Sequence, residues 1–63
     1  MRDSKMIPAF CAKLMIAWHK CPDMRFGQLM VNVFGEKDPF YIEDDEAIEM
    51  IEKWVAENVR EVE

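Results

Sequence analysis

Asp44-Asp45-Glu46-Ala47-Ile48-Glu49-Met50-Ile51-Glu52-Lys53-Trp54-Val55-Ala56-Glu57-Asn58-Val59 is the stretch that decides the fold. Ile48, Ile51, Val55, Val59 and then Val62 recur at three- and four-residue steps, the spacing that places side chains on one face of an α-helix. Asp44 is a good N-cap, and Asp45 and Glu46 put negative charge in the first turn, where the helix dipole favours it. The spacing predicts a helix from about Asp45 to Val59, helped by Glu49 with Lys53 and by Glu57 with Arg60. Ala47, Met50 and Trp54 broaden the apolar stripe until it can face both a core and a second subunit. Met50, Trp54, Val55, Val59 and Val62 are therefore the expected dimer interface.

Just upstream lies Glu36-Lys37-Asp38-Pro39, a turn, and then Phe40-Tyr41-Ile42, an aromatic and β-branched triplet. Three residues are too few for a stable strand, so a short extended segment laid over the helices is expected, or one pairing with its copy in a dimer. Before the turn, Phe26, Leu29, Met30, Val33 and Phe34 sit at i, i+3, i+4, i+7 and i+8, which predicts a helix over about Asp23 to Phe34. Gly35 fits the left-handed position after its end. Gly27 inside it costs up to about 1 kcal/mol relative to alanine, a cost either simply tolerated or compensated by a close backbone approach.

The first helix is expected to begin near Pro8, which suits the first helical position, and to end before Pro22. Its apolar face holds Ile7, Phe10, Cys11, Leu14, Ala17, Trp18 and Cys21, widened by Met15. The fold class that emerges is all-α: a small three-helix domain over residues 1–63, with a short extended aromatic segment before the last helix.

A chain of 63 residues buries only about 60% of the surface its unfolded form exposes, so its core needs support from disulfides, a metal or oligomerisation. Cys11 and Cys21, ten residues apart on one helix, would be separated by about 15 Å, far beyond the roughly 7 Å a disulfide spans. Their spacing matches no zinc pattern, and His19 is the only histidine. No cofactor or metal is expected, and a homodimer becomes the default assembly. Met6 to Trp18 is interrupted by Lys13 and is too short to span a membrane, and it makes a poor signal peptide because the same lysine splits it and His19-Lys20-Cys21-Pro22-Asp23 follows, which leads to an expected cytoplasmic location.

Charge is uneven: residues 1–34 carry +3 and residues 35–63 carry −8, for a total of −5. This balance argues against general affinity for nucleic acid and favours a basic protein partner. Against that trend, Arg25, Gln28 and Asn32 lie on one face of the second helix and are residue types that hydrogen-bond base edges in a major groove. With a helix and a Pro-Asp turn before them, they loosely match helix-turn-helix spacing, and a small DNA-binding regulator is the alternative reading. An amphipathic helix must in any case carry polar residues opposite its apolar stripe.

Glu43, Asp44, Asp45 and Glu46 lack the alternating ligands and central glycine of a calcium loop, and paired carboxylates for acid–base catalysis would need a concave pocket and a tuned pKa that three helices in 63 residues hardly provide. An enzyme is the least expected class. Six methionines and two tryptophans suit an adaptable apolar surface, with Leu14, Trp18, Leu29 and Ile51 assigned to the core. Phe40 and Tyr41 either cover that core or, together with Glu43, Asp45 and Glu46, contact a partner.

The order Arg25-Phe26-Gly27-Gln28-Leu29, followed about a dozen residues later by Phe40-Tyr41-Ile42-Glu43-Asp44-Asp45-Glu46, is similar to short open reading frames of bacteriophages and prophages. In length and in helical, dimeric character the chain also resembles small phage inhibitors of the Hachiman anti-defence type. The resemblance implies an accessory protein, acting in the cytoplasm of the host cell, that binds and inhibits a host protein such as an anti-phage defence component. It implies no particular functional residues.

Overall fold

The computed structural model describes residues 4–59. The described residues form three α-helices: α1 over Met6–His19, α2 over Phe26–Phe34 and α3 over Asp44–Asn58. A single 3-10 turn, Pro39–Tyr41, precedes α3, and no strand occurs among the described residues. The all-helical, three-helix reading therefore holds.

The last helix is the hub. Both α1 and α2 make their main packing contacts with α3. Met6, Ala9, Phe10 and Lys13 lie beside Asp44, Asp45 and Ile48, and Ile16, Ala17 and Lys20 lie beside Glu52 and Val55, so α1 and α3 run in the same direction. The opposite run of α2 follows from its ends. Phe26 at its start stacks on Trp18 near the end of α1, with ring centroids 5.6 Å apart, and Lys37 beyond its end reaches Glu46 in the first turn of α3.

The core consists of Ala17 from α1, Leu29 from α2, and Ile48, Ile51 and Val55 from α3. Phe10, Leu14, Trp18, Met30, Val33 and Phe34 pack partly buried around it. Three of the five buried residues thus come from the apolar stripe of α3. That stripe is used inside one chain: Val55, expected at a dimer interface, is 2% exposed within the single chain and clusters with Ala17, Leu29, Ile48 and Ile51. Trp54 and Val59 are half-buried against the same core, and Met50 is half-buried. Val62 and Arg60 lie outside the described residues.

Several boundaries differ from the expected ones for local reasons. Helix α1 starts two residues before Pro8 and closes through tightened bonds, from Lys20 N–H to the Ala17 carbonyl at 3.1 Å and from Cys21 N–H to the Trp18 carbonyl at 2.9 Å. Helix α2 starts at Phe26 rather than Asp23. The Met24 carbonyl, which a longer helix would offer to the Gln28 N–H, accepts the indole N–H of Trp18 at 2.8 Å. Gln28 then secures the new start, its side-chain oxygen accepting the Arg25 N–H at 2.9 Å, as in one half of a capping box. Helix α3 begins one residue early, with Glu43 in the extended cap position and no side-chain cap bond. At its other end the Val59 N–H closes the last turn on the Val55 carbonyl at 2.9 Å, and Asn58 Nδ2 donates to the Trp54 carbonyl at 2.9 Å.

The two glycines separate cleanly. Gly35 has φ +58° and ψ −122°, a conformation that a side chain would strain, and its N–H donates to the Val31 carbonyl at 2.8 Å. Gly27 faces open space, since a Cβ there would meet nothing within 4 Å. No close backbone approach accounts for it.

Candidate partner-binding surface

The segment between α2 and α3 takes its shape from Asp38 and Pro39. Proline sets the backbone angle at the first position of a helical turn, and the Asp38 carboxylate accepts the Phe40 N–H at 3.0 Å. The Tyr41 N–H donates to the Asp38 carbonyl and the Ile42 N–H to the Pro39 carbonyl, each at 3.2 Å. This local bonding corrects the expected extended segment. With no neighbouring strand to supply hydrogen bonds, the β preference of Phe-Tyr-Ile is outweighed by turn chemistry at Asp-Pro. Extended backbone appears only at Ile42 and Glu43, which lead into α3.

The turn decides which side chains reach solvent. Ile42 is half-buried, whereas Phe40 is 83% exposed and Tyr41 78% exposed. Their rings meet edge to face, centroids 4.9 Å apart and inclined at 71°. Of the two sequence readings for this pair, covering the core is thereby removed: the rings cover each other and little else.

Glu43, Asp45 and Glu46 are exposed immediately beyond them, and Asp44 is half-buried at the same helix start. Asp45 Oδ1 accepts the Glu46 N–H at 2.9 Å, which satisfies one free donor of the first turn. Glu46 Oε2 stands 3.5 Å from Lys37 Nζ, both side chains more than half exposed, so this pair straps the loop to α3 while adding little stability. Phe40, Tyr41, Glu43, Asp45 and Glu46 are thus brought together as one exposed aromatic pair bordered by three exposed carboxylates. Among the described residues, no three His, Cys, Asp or Glu side chains gather so as to hold a metal ion.

The alternative set is arranged differently. Arg25 is the cap of α2 rather than part of its first turn, and the side-chain oxygen of Gln28 is occupied by Arg25's own N–H. Asn32 is exposed one turn further on. Sequence reasoning missed a second exposed apolar region. Ile7, Cys11 and Met15, expected on the buried face of α1, are all exposed, as are Ile16 on α1 and Val31 on α2. The absence of any carboxylate from Met6–His19 was the available signal: this helix has almost no polar face to turn outward.

Among the described residues no helix is long and apolar enough to cross a membrane. Set against protein-family models, curated proteins and solved structures, the chain matches none of them.

Proposed function

We propose that this chain is a small accessory protein of bacteriophage or prophage type that binds a host protein and inhibits it, an anti-phage defence component being the favoured target class. One observation carries the reading: Phe40 and Tyr41, two large aromatics in a chain with a very small core, stand more than three-quarters exposed in a well-bonded turn. A chain short of core material gains nothing for folding from aromatics left in water, whereas binding hot spots are enriched in such residues. The neighbouring Glu43, Asp45 and Glu46, in the half of the chain that carries −8, supply attraction to a basic surface and repulsion of acidic ones. The action proposed is occupancy of a target surface, without catalysis and without a cofactor.

Expression in bacteria that each carry one anti-phage defence system tests this reading. The wild-type chain restores plaque formation under at least one system, and Tyr41→Ala, folded by circular dichroism, restores none. Failure of the wild-type chain under every system, or full activity of folded Tyr41→Ala, overturns it.

A further inference from the structure

We infer that Tyr41 and Glu43 together receive an arginine side chain of the partner, the ring taking the face of the guanidinium and the carboxylate accepting its forked N–H donors. The inference rests on the reading of Phe40 and Tyr41 as a binding surface and names the chemistry of what binds there. Residues 36–46 hold six Asp and Glu against Lys37, a net −5 equal to that of the whole chain, because the other residues carry seven acidic and seven basic side chains. The chain's excess charge is therefore concentrated around its two most exposed aromatic residues among those described.

Most of those carboxylates have a structural role. Asp38 accepts the Phe40 N–H, Asp45 accepts the Glu46 N–H, Glu46 pairs with Lys37, and Asp44 is half-buried and engaged. Glu43 differs: its side chain is exposed, makes no cap bond to α3 and forms no ion pair or hydrogen bond among the described residues. Glu36 is likewise exposed and unpartnered there, but it stands five residues from Tyr41. Glu43 is only two residues away, so its Cα lies at most about 7 Å from that of Tyr41. Both side chains are exposed, while Ile42 between them is half-buried. The Phe40 ring, 4.9 Å from that of Tyr41 and inclined at 71°, braces it and lessens the freedom a stacking cation would remove. A ring face and an unpartnered carboxylate this close suit a guanidinium, which is planar, stacks on aromatic faces and offers parallel N–H donors to a carboxylate. The ammonium of lysine is a compact charge without plane or fork, so any of the neighbouring carboxylates would serve it equally and Tyr41 would add less.

Backbone amide NMR shifts of the intact chain, titrated with the peptide Gly-Arg-Gly-Arg-Gly-Arg-Gly and with its lysine counterpart, test the assignment. Shifts are expected to centre on Tyr41, Ile42 and Glu43, and the arginine peptide to bind about two- to five-fold more tightly than the lysine one, the gain that a cation on an exposed ring supplies. That preference should vanish in Glu43→Gln and in Tyr41→Ala and survive in Tyr41→Phe, which keeps the ring face. It should be unchanged in Glu57→Gln, an exposed carboxylate near the other end of α3. Because the Glu43 side chain makes no bond in the fold, Glu43→Gln decides the matter even where Tyr41→Ala fails to fold. Absence of binding, equal affinity for the two peptides, or a preference kept by Glu43→Gln or by folded Tyr41→Ala overturns the inference. Equal affinities beside a wild-type chain that restores plaques remove the arginine receptor alone, whereas an arginine preference without restored plaques removes the inhibitor reading alone.

Discussion

Replacing Tyr41 by alanine should leave the fold nearly as stable as before while removing partner binding, and the size of the first effect follows from the exposure of the ring. With 78% of the residue exposed, about a fifth of its surface is covered. That is on the order of 40 Å² of the 150–250 Å² an aromatic residue can bury, worth about 1 kcal/mol at 25 cal/mol per Å². The edge-to-face contact with Phe40 adds about 0.5 kcal/mol, the lower end for such pairs, because both rings are in water. The expected loss is therefore about 1–1.5 kcal/mol. Leu29→Ala is the internal standard: Leu29 is fully buried, and such a truncation costs about 2–5 kcal/mol. Urea titrations followed by the fluorescence of Trp18 and Trp54 give both values on one scale. A Tyr41→Ala protein destabilised as much as Leu29→Ala would show that the aromatic turn belongs to the folding core and would refute its assignment as a binding surface.

Further outcomes follow from the same structure. Val55→Glu places an unpartnered carboxylate among Ala17, Ile48 and Ile51, so far-UV circular dichroism should report an unfolded chain rather than a folded monomer. Gly27→Ala should raise the melting temperature by several degrees, because the added Cβ meets open space and alanine gains up to about 1 kcal/mol in a helix. Gly35→Ala should lower it, because φ is +58° there, and a rise would contradict the backbone geometry. In a gel-shift at moderate salt the chain should give no sequence-specific complex with duplex DNA; a specific complex abolished by Arg25→Ala would instead favour the base-reading alternative.

How far the sequence could be read depended on whether each question was local. Helix α3 was legible because an acidic start and a regular apolar stripe agree on one answer over four turns. The stripe's destination was not, since a broad face looks the same whether a sister helix or a sister subunit covers it. The start of α2 was mislaid by three residues because a tertiary bond, Trp18 indole to the Met24 carbonyl, competes with the helix for its first acceptor. At the candidate site, the turn residues Asp38 and Pro39 and the carboxylates were visible, but the turn's effect, aiming two aromatic rings at solvent while Ile42 turns inward, depends on where the helices lie. The face of α1 hid for a related reason. Eight apolar positions, Met15 included, suggest a single buried stripe, yet Ile7, Cys11 and Met15 are left exposed outside it.

The position of α3 as the shared support has a consequence for how the chain comes into being. Synthesis delivers α1 and α2 before α3, and their buried residues, Ala17 and Leu29, wait for Ile48, Ile51 and Val55. The apolar faces of α1 and α2 therefore stay uncovered until α3 has been made. A chain cut short before α3 would have no core to close, because three of the five buried residues of the described chain stand on that helix.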